Sequence, residues 1–245
     1  MKRSDFPKPF TTCLVDLNSE AAYADQGLAM RKYPRLLPVP YDTVAQDGRL
    51  VLEPWRKNLK LYPQLYFLVS HDVPVKTPEA CADAVLGIGL GLAVSDDGIV
   101  RASRDPAPRD QMICYWYGLY SDGSQVLAQE LTAGINARDL KLTISSETLG
   151  KHVFDQKDLQ FDPMELMREM NKLIPYRQYD LFSLGAAGTP VSVPVDKKFK
   201  PGEVITVSCP QLGKLEIPVA DQRDPDTFIP GWKPREFFMS PGYSG

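Results

Sequence analysis

A chain of 245 residues with 43% apolar content has material for one large domain or two small ones with a real core. Lys and Arg total 28 against 31 Asp and Glu, a net charge of −3 with no block of like charge, which argues against a nucleic-acid or membrane-surface partner. No stretch reaches the roughly 20 apolar residues of a membrane span, and the first residues, MKRSDFPKPFTTCLV, lack a signal-peptide apolar run, so a cytoplasmic protein is expected.

In chain order, Asn18 or Ser19 can cap a helix over 21–33 that Pro34 stops. A loop rich in Pro and Gly follows, with a short hairpin around Asp47 and Gly48. LYPQLYFLVS reads as an interior strand ending near Ser70, and His71, Asp72 and Pro74 make a turn. Thr77, Pro78 and Glu79 predict a helix start, with the helix running through EACADAVLGI. The glycine-spaced GIGLGLAVSDDG then reads as a strand whose small residues allow close approach, and RASRDPAPRD as an exposed loop of the kind that covers a site.

CYWYGLYSDGSQVLAQEL predicts an aromatic strand, a turn at Ser121 to Ser124 and a second strand. Tyr115, Trp116, Tyr117 and Tyr120 either line a pocket or fill the core. Leu140, Leu142 and Ile144 alternate inward in LKLTIS. Asp162, Pro163 and Glu165 supply a cap, a first-turn proline and a capping-box partner for a helix whose apolar stripe is Leu166, Met167, Met170, Leu173 and Ile174. A buried strand from Asp180 then enters a turn at Gly185 and Gly188, presents Thr189, and leaves through prolines. Pro201-Gly202 and Gly213 turn the chain through VITVS and KLEIPV, where Leu215, Ile217 and Val219 alternate. Residues 221–245 carry Pro and aromatics without period and read as an extended tail.

Cys13, Cys81, Cys114 and Cys209 are widely spaced and suggest four buried thiols, neither a zinc ribbon nor a disulfide framework. Only His71 and His152 supply imidazoles, which excludes a His-rich metal site. His71 reads as a surface residue, while His152 can pair with Asp155 or simply belong to a polar turn.

Gly188-Thr189-Pro190 after a strand, Lys200-Pro201-Gly202-Glu203, and the pair VITVS and LGKLEIPV together resemble the fumarylacetoacetate hydrolase family. Upstream, AYADQ is similar to that family's NYADH-type segment and LYPQLYFLVS to its metal-carrying strand. The resemblance runs over 12–220, leaving 1–11 as an N-terminal extension and 221–245 as the tail. It implies an α+β, mostly β fold, a mixed β-roll with short flanking helices, and a homodimer.

The family's chemistry suits 2-oxo and β-diketo acids, with a divalent cation on two glutamates and an aspartate and a histidine to activate water. Carried over by position, the two glutamates fall at Tyr62 and Gln64, and the aspartate at Ala93 or, with a four-residue shift, at Asp97. The histidine falls at Gln26. No metal or other cofactor is therefore expected; Mg²⁺ or Mn²⁺ would enter only with a different alignment of the ligand positions.

What the resemblance leaves is a substrate site of Thr189, Gln64 and Tyr62 as catalytic candidates, with Gly188, Pro190, Arg109 and Gln26 against the substrate. Arg109 is a carboxylate clamp or a solvated loop charge, Thr189 a substrate contact or part of a glycine turn, and Tyr62 a hydrogen-bonding group or packing. The expected activity is decarboxylation, hydration, isomerisation or cyclisation of an oxo- or enol-containing acid or polyketide-like small molecule. The alternatives are a non-catalytic binding module on the same fold and an ordinary metal-dependent C–C hydrolase.

Overall fold

The computed structural model describes residues 1–9, 11–15, 17–34, 36–39, 41, 44, 48–51, 56, 58–72, 83–97, 124–170 and 176–220. The aromatic set at 115–120, the loop containing Arg109, the helix start at Thr77 and the tail 221–245 lie outside these residues.

Two sheets make the body. The first contains β1 (Thr12–Val15), β2 (Leu36–Pro38), β4 (Leu59–Val69), β5 (Val85–Asp96), β6 (Gln125–Leu127), β9 (Leu181–Ser183) and β10 (Val191–Ser192). Its order is β2-β1-β9-β4-β5-β6, with β10 on β4 as well. The second contains β3 (Leu50–Val51), β7 (Lys141–Ser146), β8 (Gly150–Asp155), β11 (Val204–Cys209) and β12 (Gly213–Ala220), in the order β3-β12-β11-β7-β8. Among the described residues two short α-helices, α1 (Glu20–Asp25) and α2 (Pro163–Met170), accompany them. This is the mostly β, mixed-sheet architecture that the sequence implies.

The pleat sends alternate side chains to opposite faces, and the sequence of β4 uses both. Leu59, Leu61, Leu65, Phe67 and Val69 join Ile88, Leu90, Leu92 and Val94 of β5 in one core with Leu142, Ile144, Ile205, Val207 and Ile217 of the second sheet. Each such aliphatic side chain contributes about 1.5–3 kcal/mol by leaving water. The even-numbered residues of β4 face the other way, against the odd-numbered residues of β5. There Tyr66 pairs with Gly89, and a Cβ at Gly89 would stand 2.6 Å from the tyrosine ring. Tyr66 donates its hydroxyl to the Ala128 carbonyl, and burial pushes its phenol above the ordinary range.

Two expected helices are shorter than their patterns. The first ends at Asp25 rather than at Tyr33 because Gly27 takes φ +65°. Leu28 and Gly27 then donate their N–H groups to the Tyr23 and Ala24 carbonyls, the Schellman pattern, and Leu28 packs against Tyr23. The helix predicted through EACADAVLGI does not reach its end, because Val85–Ile88 are strand, drawn into the β4 ladder. The Asp162-Pro163-Glu165 start behaves as its pattern predicts. Glu165 Oε2 accepts from the Asp162 N–H at 3.0 Å, and Asp162 Oδ1 from the Glu165 N–H at 2.8 Å.

Candidate functional site

β4 is long enough to serve two segments along one edge. Ser183 at the end of β9 lies opposite Tyr66, and Val191 of β10 opposite Leu61. Residues 184–190 therefore leave and rejoin the same strand, and the glycine turn lies alongside its middle, where Tyr62 and Gln64 sit. The Leu184 N–H donates to the Leu65 carbonyl at 2.8 Å at the start of this excursion. Gly185 is required there: its φ is +69°, and a Cβ would stand 2.7 Å from the Val15 carbonyl oxygen. Pro190 is buried, Gly188 half-buried and Thr189 exposed.

The face of β4 and β5 turned from the core carries Lys60, Tyr62 and Gln64 opposite Ser95, Ala93 and Gly91. Ala93 offers no ligand atom and faces Tyr62, whereas Asp97 continues the same face past Ser95. The Asp97 N–H donates to the Asn58 carbonyl at 2.7 Å, which fixes the carboxylate at the Lys60 end of the ladder. Gln64, fully buried, donates Nε2 to Gln125 Oε1 at 3.2 Å, and the Ser95 hydroxyl donates to the Tyr62 hydroxyl at 3.3 Å. The Gln64 carbonyl oxygen and the Ser183 hydroxyl, on the same face, are buried and have no hydrogen-bond partner among the described residues. Folded proteins leave few such atoms.

Four side chains close a ring at the other end of this row. Lys60 Nζ lies 2.5 Å from Asp25 Oδ2 and 3.5 Å from Asp97 Oδ2. Gln26 Nε2 donates to Asp25 Oδ2 at 2.8 Å and to Asp97 Oδ1 at 3.1 Å. The early end of α1 at Gly27 brings Asp25 and Gln26 here. The Lys60 side chain is only 7% exposed, so its ammonium is held by carboxylates rather than by water.

Of the sequence candidates, Tyr62, Gln64, Gln26 and Asp97 thus belong to one polar face, and the turn of Gly188, Thr189 and Pro190 flanks the strand that carries it. Arg109 lies outside the described residues. His71 is exposed beside Ser70, with its Nδ1 2.7 Å from the serine hydroxyl. His152 is exposed on β8, and Asp155 pairs with Lys141 at 3.2 Å rather than with it. Hydrogen bonds from the Lys157 N–H and from Lys141 hold the Asp155 carboxyl below its ordinary range.

Lys60, Asp25 and Gln125 were not among the sequence candidates. Lys60 carried a signal, since it alternates with Tyr62 and Gln64 in KLYPQ, and Asp25 adjoins Gln26 in AYADQ.

The residues at the family's ligand positions do not fit a divalent cation. Such an ion takes anionic oxygens at about 2.0–2.6 Å, whereas Tyr62 and Gln64 offer a phenol and an amide. Asp97 and Asp25 are both on the Lys60 ammonium. Among the described residues no three His, Cys, Asp or Glu side chains converge.

The chain matches the family model for the fumarylacetoacetate (FAA) hydrolase C-terminal domain over residues 13–220. No curated protein matches it in sequence. Among solved structures it is similar to a fumarylacetoacetate hydrolase family protein from Yersinia pestis, with a TM-score of 0.72 at 14% identity over 88% of this chain and 94% of that one. It is also similar to fumarylpyruvate hydrolase from Pseudomonas aeruginosa, solved with Mn²⁺ and pyruvate, with a TM-score of 0.65 at 17% identity over 86% and 90%. A third is 5-carboxymethyl-2-hydroxymuconate delta-isomerase from Mycobacterium smegmatis, with a TM-score of 0.67 at 15% identity over 88% and 80%. At these identities the likeness is one of fold.

Proposed function

The chain belongs to the fumarylacetoacetate hydrolase family, and we propose that it is an enzyme acting on a small oxo- or enol-containing molecule without a tightly held metal. The observation that carries this reading is the pair of buried polar atoms, Gln64 Oε1 and Ser183 Oγ, that have no partner among the described residues, on the face that bears Tyr62. An amide oxygen held out of water is an acceptor for a hydroxyl or enol proton, and a serine hydroxyl serves as donor or acceptor. Gln64 and Tyr62 would orient the oxygen at the reacting carbon. Thr189 and the backbone N–H groups of its turn would take up the charge of a developing enolate. Decarboxylation of a β-keto acid, conjugate addition of water, double-bond migration next to a carbonyl and aldol-type ring closure all pass through such a species.

With Gln26 where the family has a histidine, the imidazole base of that position is replaced by an amide, which favours these reactions over C–C hydrolysis. The same substitution favours, as a second reading, a binding module that holds the small molecule without turnover. A homodimer and a cytoplasmic location go with the proposal. Among the described residues no helix is long and apolar enough to cross a membrane.

The test is turnover of fumarylpyruvate and a panel of β-keto and enolic acids, with and without EDTA. We expect turnover of one or more panel members that EDTA leaves intact and that Gln64→Leu and Thr189→Ala each lower by about 10²-fold. Turnover abolished by EDTA would establish the metal-dependent hydrolase instead. Binding without turnover would establish the module.

A further inference from the structure

We propose that Lys60 is the resident cation of this site, a covalently built-in ammonium that balances the acidic pocket where relatives of this fold recruit a divalent ion. It rests on the placement of side chains and holds whether the protein turns over its ligand or only binds it.

Lys60 precedes Tyr62 by two residues on the same face of β4, so its side chain starts beside the positions that correspond to the family's paired glutamates. Its Nζ bridges Asp25, from the end of α1, and Asp97, from the end of β5. Gln26 adds amide N–H donors to the same two carboxylates. A histidine at position 26 would have offered a lone pair; the amide nitrogen offers none.

The substitutions make one pattern. With phenol and amide at 62 and 64, the negative charge that a divalent ion would balance is smaller, and the carboxylates that remain are spanned by one ammonium. The two cations exclude each other. A metal at about 2.0–2.6 Å from Asp25 Oδ2 would stand within roughly 5 Å of the Lys60 nitrogen, and one on Asp97 Oδ2 within roughly 6 Å, with like charges facing in a site shielded from water. The ammonium differs from the metal in what it offers. It cannot be exchanged or chelated, and it presents N–H donors instead of empty coordination positions. A site built this way assembles on folding and is indifferent to ambient metal.

The test uses the full chain, stripped with EDTA and titrated with Mn²⁺ while the free-ion signal is followed by electron paramagnetic resonance. The signal should rise in proportion from the first addition, and neither EDTA nor Mn²⁺ should shift Tm. Loss of one equivalent of signal per chain overturns the proposal. Lys60→Met removes the ammonium from the Asp25 and Asp97 carboxylates, whose side chains are 17% and 12% exposed, and its Tm should fall on the order of 10 °C. A fall of less than about 2 °C overturns the proposal as well. Lys60→Met combined with Asp25→Asn removes one charge of each sign and should recover at least half of that loss, even where the single variant does not fold. A double variant no better than the single one would show that Lys60 acts by packing, against the proposal.

Discussion

Asn18 donates its side-chain amide to the Leu184 carbonyl at 2.7 Å, tying the segment before α1 to the end of β9. The same fully buried side chain donates to the Phe161 carbonyl and accepts from the Phe161 N–H, each at 2.8 Å. Ser19, not Asn18, caps α1, its hydroxyl accepting from the Ala22 N–H at 3.2 Å. Asn18→Leu would keep the branched shape of the side chain and leave buried backbone groups of Phe161 and Leu184 unpaired, at a cost of about 2–4 kcal/mol. Denaturant unfolding should show this as a lower midpoint with an unchanged slope.

Gly185 and Gly202 both have positive φ, yet they should respond differently to a methyl group. At Gly185 the new Cβ would meet the Val15 carbonyl oxygen at 2.7 Å, while at Gly202 nothing lies within 4 Å. Gly202→Ala should cost about 1 kcal/mol, the strain of the left-handed backbone alone. Gly185→Ala should cost on the order of 3 kcal/mol and loosen the turn that carries Thr189. Thermal melts of the two variants, with amide exchange across 184–190, check the difference.

How far the site could be read beforehand follows from the range of each interaction. The β4 alternation, the inward set of β7 and the capping box of α2 are local patterns, and each formed as its spacing dictates. The first helix stops short of its pattern: apolar residues continue past Gly27, but one left-handed glycine there outweighs them. Val85–Ile88 went to a strand because eleven residues of β4 offered a ladder that no helix propensity could match. The Lys60–Asp25, Lys60–Asp97 and Gln26–Asp97 contacts join residues 35, 37 and 71 positions apart, and no spacing rule announces such a meeting.

Glu203 supplies a pH prediction. Its partial burial raises the carboxyl, but hydrogen bonds from the Thr148 N–H and hydroxyl, both at 2.8 Å, together with Ser146 and the Lys200 N–H, outweigh that and hold it below the ordinary glutamate range. A carboxyl lowered on folding contributes stability above its unfolded value, about 4.3. That contribution is lost as pH falls through the lower folded value. Unfolding measured between roughly pH 6 and pH 3 should therefore steepen below the ordinary glutamate value in the natural protein. Glu203→Gln should flatten that part of the profile.

Cys13 is 3% exposed, and its thiol is pushed up to about 12, chiefly by burial and further by the neighbouring Asp180 carboxylate. Cys209 is 2% exposed. Alkylation of the native protein at neutral pH, read by peptide mass mapping, should leave both unlabelled. Their reaction rates should rise by about 10²-fold or more on unfolding.

The alternation along β4 also bears on how such a protein diversifies. Its odd-numbered side chains hold the two sheets together, while its even-numbered ones, Lys60, Tyr62 and Gln64, lie over the small residues of β5 and take no part in that joint. Inheritance and novelty are thus written on opposite sides of one ribbon. A lineage can exchange its reagents there one at a time and keep the scaffold that presents them.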